Sequence, residues 1–373
     1  MNITDEDSIN FSEVIMSVFI AAFLGMLLSH NFTFSLTDSN LRDSSLMIQS
    51  RPLITVEAIN TIASDESISI VGTGSSMTFK GLDGKCVAQH MTHESIVYNI
   101  AQLSSYPWND MIHIPRLVNA QPEIVLIEVG PNLLIDLYSE NAIENAKFRY
   151  KIDTSQQDSS DIGGWIDLIH PELEDFVATN DFHRMELRQE YVTQSIEENL
   201  RRIIFNESNA RQDWAYGWTP HPESEDWIDY LQTPTFPADR YGFEGMDNSE
   251  RIDYNETKMD NSASYNPKIN SYGYSVIEYE ISALVENDIS VILIGLPHHP
   301  SSIDFVPQGK WDSVNQTMSN FAQIEGVTVF NQIWEPGWID DHFYDRNHLD
   351  DEGRIEFCNR LAPVIDEVLS GRD

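Results

Sequence analysis

Three short segments carry side chains that could break or form a bond. The first, Val71-Gly-Thr-Gly-Ser-Ser-Met-Thr78, is a small-residue turn leading into a predicted helix. Ser76 would sit at the start of that helix, where free backbone amides stabilise a developing oxyanion. The turn lacks the Lys of a P-loop and the full glycine pattern of a dinucleotide site, so it does not read as a phosphate cradle. Either Ser75 or Ser76 could equally serve as a plain N-cap. The second segment, Glu128-Val-Gly-Pro-Asn-Leu133, ends another apolar run, and the amide of Asn132 could donate to the same oxyanion or simply shape a turn. The third, Trp338-Ile-Asp-Asp-His-Phe-Tyr-Asp-Arg-Asn-His-Leu-Asp-Asp-Glu-Gly353, precedes a C-terminal helix. Asp345 and His348 are three apart, so one turn lets the carboxylate hold one imidazole nitrogen while the other faces a nucleophile. Asp341, His342, Asp345 and His348 are also chemically adequate metal ligands, and an acidic surface loop would show the same composition.

These segments need a scaffold that brings them to one place. Five β-branched apolar runs read as strands buried on both faces: Ile68 to Val71, Ser95 to Ala101, Ile124 to Val129, Ser290 to Gly295 and Val327 to Phe330. Helical patterns lie between them, notably Ser275 to Glu286 and Glu352 to Leu369. Strands alternating with helices imply a parallel sheet covered on both sides, with loops at the strand C-termini free to build a site. Between the third and fourth runs lie 160 residues, too many for one crossover. They hold an amphipathic stretch, Phe182 to Phe205, and a region rich in Trp, Tyr and Pro from Trp214 to Tyr274. This reads as an insertion, about residues 135–275, that caps the sheet. Trp214, Trp218 and Tyr241 are its candidate substrate contacts. His298 and His299, in Leu296-Pro-His-His-Pro300, follow the fourth run and share the same edge, in what reads chiefly as a rigid Pro-bracketed loop.

In their order and placement the three segments resemble the SGNH (GDSL-like) hydrolases, and more closely the membrane-anchored branch that edits surface polymers. In that family a Gly-x-Ser turn follows the first strand, Gly-x-Asn follows the third, and Asp-x-x-His precedes the last helix. Here these look like Gly74-Ser75-Ser76, Gly130-Pro131-Asn132 and Asp345-Arg346-Asn347-His348. The resemblance covers residues 67–135 and 285–370. It implies a flavodoxin-like three-layer α/β/α sandwich, a five-stranded parallel sheet in the order 2-1-3-4-5 with a large insertion after strand 3. It also implies a serine esterase or O-acyltransferase that needs no cofactor or metal. Ser76 would be the nucleophile, His348 its base and Asp345 the orienting acid. The oxyanion would be held by the Ser76 amide, the Ser104 amide and Asn132. Two positions depart from the family pattern. Ser75 replaces the usual Asp of the first motif, as in the polymer-modifying branch, and Ser104 replaces the Gly of the second. In that sheet order the first and last helices share a face, so Cys86, near the former, and Cys358, within the latter, could form a disulfide.

The remaining composition narrows the partners. Sixty Asp and Glu against 22 Lys and Arg give a formal net charge of −38, spread along the chain. Such a field repels phosphate backbones and anionic lipid headgroups, which argues against nucleic acid as a partner. With 41% apolar residues the chain still has ample material for a core. Only seven basic residues are Lys and 15 are Arg, a balance that points to a salt-adapted (halophilic) source, in which carboxylates keep the surface hydrated. Residues 1–13 form an acidic tail. The uncharged run Val14 to Leu28 is 15 residues long, short of the roughly 20 that span a bilayer, yet apolar on every face. Residues 14–29 therefore read as a membrane anchor or signal segment, 30–66 as a stalk, and 67–373 as a domain lying outside the membrane. The expected substrate is an acylated glycan or lipid at the cell surface; the alternatives are a metal-dependent hydrolase using the Asp341 to His348 cluster and a non-catalytic surface protein with the aromatic insertion as a glycan-binding face. Glycosylation triplets begin at Asn31, Asn206, Asn255 and Asn315 after the apolar run and tilt the body toward the exterior, while two more, at Asn2 and Asn10, precede it.

Overall fold

The structure is a computed structural model. It describes residues 11–29, 55–64 apart from 57, 67–136 apart from 104, 143, 146–147, 149–150, 164–189 apart from 188, 231–232, 267–343 apart from 306–307, and 345–372. Helix α1 is Phe11–Ser29. The domain then runs β1 (Ile68–Thr73), α2 (Ser76–Gly81), α3 (Gly84–His90), β2 (Ser95–Asn99), α4 (Pro107–Asp110), α5 (Ile114–Ala120) and β3 (Ile124–Glu128). After the insertion come α6 (Tyr272–Val285), β4 (Ser290–Gly295), α7 (Pro300–Phe305), α8 (Gln308–Phe321), β5 (Val327–Asn331) and α9 (Asp351–Ser370).

The five strands form one parallel sheet in the order β2-β1-β3-β4-β5. Its register is fixed by pairs such as Val71 with Tyr98, Val71 with Val125, Leu126 with Ile292, and Ile292 with Thr328. Because successive strand residues point to opposite faces, each apolar run feeds two cores. Val71, Val125, Ile127, Val291 and Leu293 join one core with residues of α5, α6 and α8, including Leu117, Ile281 and Trp311. Ile70, Leu126, Ile292 and Ile294 join the other with residues of α3 and α9, including Val87, Phe357 and Leu361. The result is a three-layer α/β/α fold.

Strand ends differ from the sequence reading by one or two residues, for a local reason. β1 continues through Gly72 and Thr73, which pair with Leu126 and Ile127 of β3. β2 stops at Asn99 instead of Ala101. The buried Asn99 amide donates to the carbonyls of Thr78, Phe79 and Leu82, and its Oδ1 accepts from the Ala101 N–H. Those bonds turn the chain out of the sheet and tie β2 to the end of α2. Side-chain caps start the helices: Asp83 for α3, Ser271 for α6 and Asp350 for α9, each accepting a backbone N–H of the first turn.

Cys86 of α3 and Cys358 of α9 are joined by a disulfide, with their Cα atoms 6.0 Å apart. Their helices lie side by side on one face of the sheet, as that strand order requires. A third small core gathers Trp108, Met111 and Ile112 against Tyr150, Trp165 and Leu173 of the inserted segment. Tyr150 donates its hydroxyl to the Trp108 carbonyl at 2.6 Å. Residues 181–187 are helical, where the Phe182 to Phe205 pattern begins, and the rest of that pattern lies outside the described residues. So do Trp214, Trp218, Tyr241, Asn31, Asn206 and Asn255. Asn315 lies on α8, with the Thr317 of its triplet fully buried.

Apolar side chains along α1 are exposed, Phe19 at 70% and Phe23 at 64%. Among the described residues no helix is long and apolar enough to cross a membrane.

Candidate active site

All three chemistry-bearing segments emerge at the C-terminal edge of the sheet. β1 and β3 are neighbours, so the turns that follow Thr73 and Glu128 are side by side. After β1, Gly74 adopts φ +137°, a conformation that side chains avoid. Ser75 is the N-cap of α2, its hydroxyl accepting from the Met77 N–H at 3.2 Å. Of the two serines it is therefore Ser75 that caps, and Ser76 begins the helix with its hydroxyl free for other work.

That hydroxyl meets the third segment. Ser76 Oγ lies 2.8 Å from His348 Nε2. His348 Nδ1 lies 2.9 Å from Asp345 Oδ1 and 2.8 Å from Oδ2. A carboxylate only accepts, so Nδ1 carries the ring proton and Nε2 is left as the acceptor for the Ser76 hydroxyl. The same Asp345 Oδ1 accepts the N–H groups of Asn347 and His348, both at 2.9 Å, which folds the loop around its own carboxylate. Burial raises the Asp345 pKa, but the His348 and Lys80 charges and the Asn347 amide outweigh it and hold the carboxyl well below the usual carboxylate range. Lys80, four residues after Ser76 on α2, is itself buried at 8% exposure. Burial lowers its ammonium pKa and Asp345 opposes that shift.

Below the turn that carries Ser76 sits a group that sequence reading overlooked. Glu128, the last residue of β3, is 3% exposed. Its carboxylate accepts from the Ser75 N–H and Oγ–H, both at 2.7 Å, and from the Thr78 Oγ–H at 2.8 Å. Burial raises its pKa against the pull of those hydrogen bonds. The available signal was an acid closing an otherwise apolar five-residue strand, IVLIE, buried throughout. Such a charge is retained only where hydrogen bonds meet it.

Of the residues expected to hold an oxyanion, Asn132 is described and Ser104 is not. Asn132 is half-buried in the turn after β3, where the Leu133 N–H donates to the Gly130 carbonyl at 3.1 Å. Its Oδ1 has no hydrogen-bond partner among the described residues. Ser104 lies outside the described residues. Its loop is nonetheless bonded to the nucleophile turn, because the Gln102 N–H donates to the Gly74 carbonyl at 3.0 Å. Arg149 of the insertion braces the same loop, donating to Gln102 Oε1, the Leu103 carbonyl and Ser105 Oγ.

The paired histidines support the acid–base loop from beneath. Both are buried. The His299 N–H and the Ser302 hydroxyl each donate to the Arg346 carbonyl at 3.0 Å. The His298 side chain hydrogen-bonds that of Asn347, and burial lowers the His298 pKa to about 4, so it is neutral near pH 7. This Pro-bracketed loop is thus a scaffold for the segment holding Asp345 and His348.

The alternative ligand set is dispersed. Asp341 is exposed, and the His342 ring packs edge-on against Trp338 with centroids 5.6 Å apart. Among the described residues, the one trio of possible metal donors within 4.8 Å of one another is Cys86, His90 and Cys358, where the two sulfurs are bonded to each other. Compared with protein-family models and with curated proteins, the chain has no match.

Proposed function

We propose that the protein is a serine-dependent esterase or O-acyltransferase acting on acyl esters of cell-surface glycan or lipid. The observation that carries this reading is the continuous hydrogen-bonded chain from Ser76 Oγ through His348 to Asp345. In the first half-reaction Ser76 Oγ bonds to the ester carbonyl carbon while its proton passes to His348 Nε2. The tetrahedral oxyanion is held by the Ser76 and Ser104 amides and the Asn132 side-chain amide, a type of contact in which each donor contributes about 3 to 4 kcal/mol to transition-state stabilisation. His348 then gives the proton to the departing alcohol as the carbon–oxygen bond breaks, and the acyl group remains on Ser76. In the second half, water or an acceptor hydroxyl loses its proton to His348 and attacks the acyl carbon, and His348 returns that proton to Ser76 Oγ as the Oγ–acyl bond breaks. Asp345 stays charged throughout and fixes the His348 tautomer.

The acyl-ester and surface-polymer parts of this reading rest on the resemblance of the three motifs to the polymer-modifying SGNH branch. The charge of −38 supports a neutral or weakly charged polymer over nucleic acid. In the same reading α1 is a single N-terminal anchor, with the domain outside, in a salt-adapted organism; the exposed apolar side chains of α1 support the anchor. An aryl acetate assay at high salt tests the chemistry. Wild type should turn over and be labelled at Ser76 by a fluorophosphonate, while Ser76→Ala should lose about 10⁴-fold or more in kcat. Equal turnover by the two proteins would end the proposal.

A further inference from the structure

The nucleophile turn has few means of holding itself in place. Residues 72–76 are Gly-Thr-Gly-Ser-Ser, and α2 has only six residues, too few to be stable by its own hydrogen bonds. Yet the distance from Ser76 Oγ to His348 Nε2 must be kept for proton transfer. Something outside the turn must fix it.

We infer that Glu128 is a positioning residue for the nucleophile, an acceptor at the end of β3 that locks the turn bearing Ser76. This rests on Ser76 being the nucleophile. Glu128 Oε1 takes the Ser75 hydroxyl, and Oε2 takes the Ser75 N–H, the Thr78 hydroxyl and, at 3.4 Å, the Thr78 N–H. The four donors come from the residue before Ser76 and from the residue two after it, so the carboxylate grips the turn on both sides of the nucleophile. Gly74 records the closeness of that grip. A Cβ there would lie 2.5 Å from Glu128 Oε2, 2.7 Å from Glu128 Cβ and 2.8 Å from Thr78 Oγ1. β3 is the central strand, paired to β1 on one side and β4 on the other, so the clamp stands on the most constrained part of the sheet. The same strand leads within four residues to Asn132, so one element sets both the nucleophile and an oxyanion donor. A displacement of about 1 Å at such a site costs on the order of 10²-fold in rate.

The test compares Glu128→Met, which keeps the length but removes both acceptors, with Glu128→Gln, which keeps one oxygen for the Oε2 donors and lets the Ser75 hydroxyl accept from the new amide. Aryl acetate turnover at high salt and the rate of fluorophosphonate labelling at Ser76 are measured on folded protein. Glu128→Met should lose about 10²-fold in kcat and in labelling rate with KM within about twofold, and Glu128→Gln should recover to within about tenfold of wild type. Thr78→Val, which deletes one donor at constant shape, gives a second reading if Glu128→Met does not fold, with an expected loss of about five- to tenfold. Wild-type labelling rates in Glu128→Met, or in Thr78→Val where the former does not fold, would overturn the inference while leaving the serine mechanism standing. A wild-type protein not labelled at Ser76 would overturn the serine mechanism and the inference with it.

Discussion

Two acids flank the proposed nucleophile and protein electrostatics treat them oppositely. Glu128, under the turn that carries Ser76, is surrounded by neutral hydroxyl and amide donors, and burial wins: its pKa is raised. Asp345, in the loop that carries His348, is met by an imidazole, a buried ammonium and its own backbone amides, and these win over burial: its pKa is lowered. Burial alone therefore does not decide which way a carboxyl's pKa moves. The partners decide it, and they suit the two roles, since a clamp needs acceptors whereas an orienting acid must stay ionised when His348 takes a proton.

Asp345→Asn should produce the largest effect. It keeps the shape but lets the imidazole choose the wrong tautomer, and kcat for aryl acetate should fall by about 10⁴-fold with the Ser76 turn unchanged. A loss under tenfold would remove Asp345 from the pairing. Next comes Cys358→Ser, which cuts the bond between α3 and α9 and should lower unfolding free energy by about 2 to 5 kcal/mol in denaturant titrations at constant salt. Because the bond joins the helix that follows the Ser76 turn to the helix that follows the His348 loop, its loss should loosen both arms of the site alike; a change confined to one would show that they are braced separately.

Stability against pH separates the two acids by sign. The folded pKa of Asp345 lies below its unfolded value of about 4, so its stabilisation is complete above that pH and is lost as pH falls through the folded pKa. The folded pKa of Glu128 lies above its unfolded value of about 4, so its contribution is present below that pH and is lost as pH rises through the folded pKa. Relative to wild type, Asp345→Asn should cost stability at neutral pH and converge in acid, and the deficit of Glu128→Gln should shrink as pH rises. The smallest effect concerns Lys80. In denaturant titrations, comparing Lys80→Met with Lys80→Met/Asp345→Asn, the pH range over which Asp345 ceases to stabilise should move to higher pH than in wild type.

Much of this was legible in the sequence because parallel strands buried on both faces are written as continuous β-branched runs. IVLIE and SVILIG admit little else, and the order of the motifs at their ends restricted the topology. Ser76, Asp345 and His348 stood out because the proposed chemistry demands those residue types at those spacings. Glu128 and Lys80 did not. Glu128 is marked locally only as an acid closing an apolar strand and Lys80 by nothing, and each acquires its role only when a neighbour distant in sequence folds against it, Ser75 and Thr78 in one case and Asp345 in the other. The strand ends failed for a related reason: Asn99 stops β2 by bonding to carbonyls of α2, which no window along the chain contains. His298 and His299 looked like a rigid loop and are one, but what they hold rigid, the Arg346 carbonyl and the Asn347 side chain, was visible only in three dimensions.

The disulfide has a topological consequence for how the molecule would survive damage. Cys86 follows Ser76 by ten residues and Cys358 follows His348 by ten, and the bond closes a span of 272 positions that includes the whole insertion. A single protease cut anywhere between Cys86 and His348 would leave one covalent molecule, with the serine on one fragment and the histidine on the other. Such a nicked protein should migrate as a single species until a reducing agent is added and as two afterwards, and catalysis should outlast the first cut. The bond thus makes the long segment between the two halves of the site expendable as a tether, free to be broken without parting them.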